Sequence, residues 1–252
     1  MPLRPKISKT NLQLRIANRQ RSIPPPDNED GSFNLDGFKY KPGEYDKFTS
    51  WFAFAHDVER YVRELYFKPF INNKTFFLDV GALCGSWTLP ALYFGAQVIS
   101  LEPDQNFFKI LEDNVKINNF TKWRGINAAA CDKSTTADVY DMSDVNLIQL
   151  DDIPYTKIDH IRIDVKGAET EVLLGASKLL KRSRPYLWIK CYEATETVHD
   201  IILEIFGATY IVEKKTLVKN SSHLFARPTI NSMPYCYLCE SELCIKPQQH
   251  LI

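Results

Sequence analysis

No apolar run in this 252-residue sequence approaches the length of about 18 residues that a membrane-spanning helix needs, so no transmembrane segment is expected. Net charge is lacking too. Lys plus Arg and Asp plus Glu are 31 each, so no overall field draws the chain to nucleic acid or to a lipid surface. The first 26 residues are basic and have no apolar h-region, which predicts the absence of a secretory leader. Cysteine is sparse and without framework spacing. Cys84, Cys131 and Cys191 lie in or beside apolar segments, which predicts reduced thiols and a cytoplasmic setting. Internal repeats are missing, and so is the dinucleotide fingerprint G-x-G-x-x-G.

What is present divides into parts. Residues 1–35 carry Arg4, Lys6, Lys9, Arg15, Arg19 and Arg21 with no acid before Asp27, then three prolines and the polar run DNEDGS. This reads as a basic arm and linker, either a solvated tail or a contact for phosphate or a partner. Residues 36–252 form the expected main domain. Within it, 36–70 reads as an aromatic helical segment. Phe48, Phe52, Ala55 and Val58 recur at steps of three and four, and His56 beside that face reads as structural. Short apolar runs then alternate with amphipathic ones. The strand-like runs are TFFLDV, AQVISLE, GINAAAC, HIRIDV and YLWIKCYE. The helix-like runs are WTLPALYF, DQNFFKILEDNVKINN, GAETEVLLGASKLLKR and ATETVHDIILEIFG. TYIVEKKTL and SHLFARP complete the chain as a final strand pair. That alternation predicts an α/β protein with a mostly parallel sheet covered on both faces.

The first of these strands ends in an acid, Asp79, followed by Gly81 and Gly85. Ligands of open α/β sheets sit beyond the carboxyl ends of the strands, and glycine lets a ligand come close to the backbone. The next strand ends in Glu102, 23 residues on, where an acid can accept both hydroxyls of a ribose. Ribose without a diphosphate, plus a group that needs a carboxylate near Asp79, fits S-adenosylmethionine as cofactor.

Residues 77–119, FLDVGALCGSWTLPALYFGAQVISLEPDQNFFKILEDNVKINN, resemble the nucleotide-binding half of FkbM-type methyltransferases through their DVGA and EPDQNFF blocks. IDHIRIDVKGAETEVLLGASKLL is similar to that family's second signature, D-V-E-G-x-E-x-x-V-L-x-G-A, and LDDI at 150–153 to a third run. The resemblance implies a Rossmann-like class I methyltransferase fold with seven strands, and methyl transfer from S-adenosylmethionine, commonly to a hydroxyl oxygen. By position it implies that Asp79, Gly81, Ala82, Gly85 and Glu102 contact the cofactor and that Asp132, past the third strand, reaches the adenine amine. Two positions depart from the family pattern. Lys166 replaces a glutamate, and Lys190 stands where an acid is common. Both changes argue against a divalent-metal site, which wants carboxylate oxygens.

Asp164 ends the fourth strand and Lys190 lies in the fifth, so adjacent parallel strands would bring them together as a catalytic pair. Lys190 would act as a base or stabilise a developing alkoxide. The pair is also similar to half of the Lys-Asp-Lys-Glu tetrad of RNA ribose 2′-O-methyltransferases. Lys47, Lys68 and Glu213 are the available residues for the other half, none at matching spacing. The expected acceptor is therefore a hydroxyl of a sugar, glycan or small metabolite, with RNA ribose as the alternative. A third reading is a non-catalytic binding domain. In the tail, residues 227–252, Cys236, Cys239, Cys244 and His250 are candidate zinc ligands of imperfect spacing, and no metal is expected at the main site.

Overall fold

The computed structural model describes residues 28–35, 37–41, 63, 68–139, 142–155, 157–191, 194–218 and 221–229. The basic arm, most of the aromatic helical segment and the tail cysteines with His250 lie outside the described residues.

A short hairpin comes first, β1 (Phe33–Leu35) with β2 (Phe38–Tyr40), astride the boundary expected between linker and helical segment at residue 35. It is held from the far side of the chain. Asn114 accepts from Lys41 N at 2.7 Å and Asn118 from Lys39 N at 2.6 Å, and Phe33, Phe38 and Tyr40 are buried. The alternation then runs as expected. β3 (Phe76–Val80) leads to α1 (Thr88–Tyr93), β4 (Gln97–Leu101) to α2 (Gln105–Ile117), and α2 to β5 (Trp123–Ile126). Asp104 caps α2 by accepting from Asn106 N and Phe107 N at 2.8 and 3.0 Å, an arrangement that contributes about 1 kcal/mol.

Two expectations need correction after β5. GINAAAC was expected as one strand. It splits into β5 and β6 (Ala129–Ala130) because Asn127 turns its amide into the carbonyls of Glu102 and Pro103 at 2.8 and 3.0 Å. β6 pairs with a hairpin the sequence reading did not anticipate, β7 (Thr135–Val139) and β8 (Met142–Ile148). The run GAETEVLLGASKLLKR was expected as one helix. After β9 (His160–Ile163) it forms two, α3 (Glu169–Leu174) and α4 (Ser177–Ser183). The break falls at Gly175, where a Cβ would lie 1.9 Å from the Cys131 carbonyl oxygen, so the chain passes too closely for any side chain. β10 (Tyr186–Cys191), α5 (Thr195–Phe206), β11 (Tyr210–Val218) and β12 (Ser221–Pro228) finish the described chain.

The main sheet has seven strands in the order β11-β12-β10-β9-β3-β4-β5. β12 runs antiparallel to both neighbours, and the other strands are parallel. One face, with Leu78, Val80, Ile161, Ile163 and Ile189, packs with Leu173, Leu179 and Ile202 of α3, α4 and α5. The opposite face packs Phe77, Val98 and Trp188 with Trp87, Leu89 and Leu111 near α1 and α2. Each such fully buried side chain contributes roughly 1.5–3 kcal/mol. Among the described residues no helix is long and apolar enough to cross a membrane.

Candidate active site

Alternation along the strands decides what the second face carries at its carboxyl edge. In β3, Phe76, Leu78 and Val80 face α3–α5, so Asp79 faces the other way with Phe77. Register places Arg162 of β9 opposite Asp79, and Trp188 of β10 opposite Arg162. Phe225 of β12 lies opposite Trp188. One residue pair closer to the edge comes a polar row: Asp164 just past β9, Lys190 of β10, His223 of β12 and Lys215 of β11, with Lys190 opposite His223 and His223 opposite Lys215.

Arg162 joins the two rows. Its Nη1 donates to Asp79 Oδ1 at 3.1 Å and to the Gly81 carbonyl at 2.6 Å, while Nη2 donates to Asp164 Oδ2 at 2.6 Å. Its guanidinium lies 5.9 Å from the Trp87 ring and 5.4 Å from the Trp188 ring, and the two indoles stack 4.5 Å apart. Asp79 is 0% exposed, and its other oxygen accepts from Thr88 Oγ1 at 2.7 Å. Burial lifts its carboxyl above the usual range against the pull of Arg162 and Thr88. Asp164 goes the other way. Burial opposes its charge, but Arg162 and Lys190 outweigh burial and hold it below the usual range. Lys190 Nζ donates to Asp164 Oδ2 at 3.3 Å, and the two side chains are 19% and 12% exposed. Asp164 and Lys190 are thus in contact across the adjacent strands. Asp79, expected to face a ligand's ammonium group, has both oxygens engaged by the protein.

Gly81 serves the chain itself. Its φ is +80°, and a Cβ would lie 2.1 Å from the Asp164 carbonyl oxygen, so the ends of β3 and β9 touch there. Gly81 N and Ala82 N both donate to the Leu101 carbonyl, at 3.0 and 2.9 Å, which ties the loop to β4. Ala82 is buried, and Gly85 packs under Leu111 of α2. Glu102 ends β4 at 5% exposure and accepts from Leu83 N at 2.7 Å through one oxygen and from Asp104 N at 3.0 Å through the other. Burial pushes its pKa up to about 7, against those two N–H groups. A carboxylate oxygen has two acceptor sites, so two ribose hydroxyls could still donate to Glu102. The residues at this edge therefore fit S-adenosylmethionine, with acceptor capacity left on Glu102 for a ribose.

Asp132 stands apart from this cluster. It is exposed, near Gly175, with its carbonyl accepting from Gln149 Nε2 at 2.6 Å and its carboxylate beside the Cys131 thiol at 3.3 Å. The remaining tetrad candidates lie in other surroundings or outside the described residues. Lys68 sits 5.7 Å over the Phe94 ring, Glu213 contacts Lys215 at 3.5 Å, and Lys47 is outside the described residues. Among the described residues, no group of three or more His, Cys, Asp and Glu could hold a metal ion. Sequence reasoning missed Arg162, Trp188 and His223. Arg162 carried a signal, since RID at the end of a strand puts Arg162 and Asp164 on one face.

Comparison with known proteins bears on this arrangement. The methyltransferase FkbM domain profile matches residues 79–212. The methyltransferase FkbM of Methylobacillus flagellatus has a similar structure, with a TM-score of 0.53 and 18% identity. It covers 73% of this chain, which in turn spans only 55% of that protein. The yhhF protein of Escherichia coli, a methyltransferase by its given name, superposes with a TM-score of 0.51 at 13% identity, over 79% of this chain and 100% of that one. No curated protein sequence matches significantly. The profile match takes in more than half of the sequence and the whole row from Asp79 to Lys190, and the chain belongs to the FkbM methyltransferase family, whose methyl donor is S-adenosylmethionine.

Proposed function

We propose that this chain is a cytoplasmic O-methyltransferase whose acceptor is a sugar hydroxyl on a glycan or small metabolite, with Lys190 and Asp164 as the catalytic residues. The observation that carries the reading is the Lys190–Asp164 contact at the solvent edge of the sheet face, backed by Arg162. S-adenosylmethionine, when bound, supplies an electrophilic methyl group on a sulfonium. The work left to the protein is to orient a hydroxyl and to ease the loss of its proton. Lys190 donates to Asp164 and so acts as a cation. Its ammonium lowers the cost of negative charge growing on the acceptor oxygen. Asp164, held ionised by Arg162 and Lys190, fixes the direction of Lys190 and would receive the hydroxyl proton, which becomes acidic as the acceptor oxygen gains the methyl group. Asp79 acts through Arg162 and is a positioning residue. The equal numbers of basic and acidic residues favour a neutral acceptor over RNA, and the burial of Cys84 and Cys191, with no disulfide among the described residues, is consistent with a reducing compartment.

Labelled-methyl transfer to a panel of methyl glycosides and to capped RNA in parallel tests the acceptor class. Lys190→Met should lower kcat about 10²–10³-fold, the effect of losing one preorganised charge donor. Affinity for S-adenosylmethionine should hold, and turnover should survive EDTA. Full activity in Lys190→Met, or EDTA inactivation rescued by magnesium, overturns the assignment.

A further inference from the structure

Three nitrogens beside Lys190 have no hydrogen-bond partner among the described residues: Trp188 Nε1 and both ring nitrogens of His223. Each is buried, and His223 is 0% exposed. Such atoms are rare in folded proteins, because a buried polar group without a partner carries its full desolvation cost. Three of them on adjoining rings, 5.3 Å apart between centroids, form a cluster rather than a stray defect. They border the reacting edge, because His223 stands opposite Lys190 in the register and Trp188 is two residues before Lys190 on the same face.

The chemistry of the cluster selects its guest. Burial and then the neighbouring Lys190 charge hold the His223 pKa at about 4, so the ring is neutral at physiological pH. A neutral imidazole presents one donor and one acceptor, and the indole presents one donor. With the Lys190 ammonium and the Asp164 carboxylate at the partly exposed rim, the site mixes donors and acceptors in close order. An ionised carboxylate offers only acceptors and would leave the imidazole acceptor unmatched. A group with neighbouring hydroxyls donates and accepts at each oxygen and matches all of them.

We infer that Trp188 Nε1 and the His223 ring form a recognition site for a neutral polyhydroxylated ligand, the sugar ring that carries the acceptor hydroxyl to Lys190. The inference rests on the sugar-acceptor reading above and adds the residues that would enforce it.

The test uses the full chain loaded with S-adenosylhomocysteine, with the methyl glycosides of glucose, galactose and rhamnose as probes and acetate as the acceptor-only control. NMR should show saturable shifts of the His223 imidazole nitrogens and of the Trp188 indole N–H with at least one glycoside and none with acetate. Trp188→Phe identifies the indole signal. His223→Phe should weaken glycoside binding by about tenfold or more, the cost of lost buried hydrogen bonds. It should leave cofactor affinity unchanged and thermal stability equal or higher, because it removes two unpaired buried nitrogens. Unchanged glycoside affinity in both variants, with stability lost in His223→Phe, overturns the inference and assigns the nitrogens to an internal water. Methylation of capped RNA with no glycoside turned over sinks the acceptor reading instead. Turnover of a glycoside with His223 and Trp188 silent sinks this inference alone.

Discussion

Replacing Arg162 with Met is the sharpest perturbation of this site. The Met side chain keeps much of the volume between Trp87 and Trp188 but removes the charge that serves Asp79, Asp164 and the Gly81 carbonyl. Asp164 keeps Lys190, whereas Asp79, fully buried, keeps only Thr88 among the described residues. Removing one partner of a buried ion pair costs about 3–5 kcal/mol. Against a total stability of about 5–15 kcal/mol, the variant still folds. With a urea slope of about 2–3 kcal/mol per molar, the unfolding midpoint should drop by roughly 1–2.5 M. The pH dependence gives a second signature. Without the guanidinium, the folded-state pKa of Asp79 rises further above its unfolded value. A raised carboxyl pKa favours the protonated folded form, so the deficit is smallest below about pH 3.9 and grows as pH rises through the folded value. Adding Asp79→Asn removes the stranded charge and should recover most of the loss. Urea titrations of wild type and the three variants between acid and neutral pH measure all of this. A loss under about 1 kcal/mol, the size of an exposed pair, would refute the reasoning. So would a pH-independent loss, or a double variant no better than Arg162→Met.

Glu102→Gln should weaken S-adenosylmethionine about ten- to a hundredfold in calorimetry, the cost of charge-assisted hydrogen bonds. In the wild type that affinity should fall as pH drops through about 7, where Glu102 takes up a proton, while the Gln variant should show no such step. Because the folded pKa of Glu102 lies above its unfolded value, Glu102 costs stability as pH rises through the same window, and Gln should be more stable than wild type above it. Gly81→Ala should cost about 1–3 kcal/mol or more in thermal unfolding, from its positive φ and from overlap with the Asp164 carbonyl. Deleting residues 1–26 should leave glycoside turnover unchanged. A flattened salt dependence of RNA binding in that deletion would give the arm a phosphate-binding role.

Much of the fold was legible because most strands and helices from residue 75 onward carry their own period. The errors have local causes that composition hides. The helix run from 167 to 182 is broken by the approach of Cys131, a residue far away in the chain, to Gly175. The strand GINAAAC is broken by one asparagine amide that reaches across to the end of β4. The β7–β8 hairpin is largely solvent-facing, so only Val145 and Leu147 mark its buried side, too few to read as alternation. The β1–β2 hairpin depends on Asn114 and Asn118 of α2, more than seventy residues away.

The site shows the same division between near and far. Glu102 and Asp104 interact within one strand–loop–helix unit, so spacing alone could place Glu102 at the carboxyl edge of the sheet. Asp79 and Arg162 are 83 residues apart, and only the register of β3 on β9 brings them together. A slip of one residue in that pairing would turn Arg162 to the opposite face and leave Asp79 buried without a cation. The carboxylate that ends an apolar strand is therefore satisfied by the protein before any ligand arrives. It holds the guanidinium, which reaches forward through Asp164 to Lys190. Asp79 is thus linked to the proposed acceptor edge through three consecutive charged contacts, and its substitution should lower kcat together with stability, whereas a change at Glu102 should weaken cofactor affinity without lowering stability above pH 7.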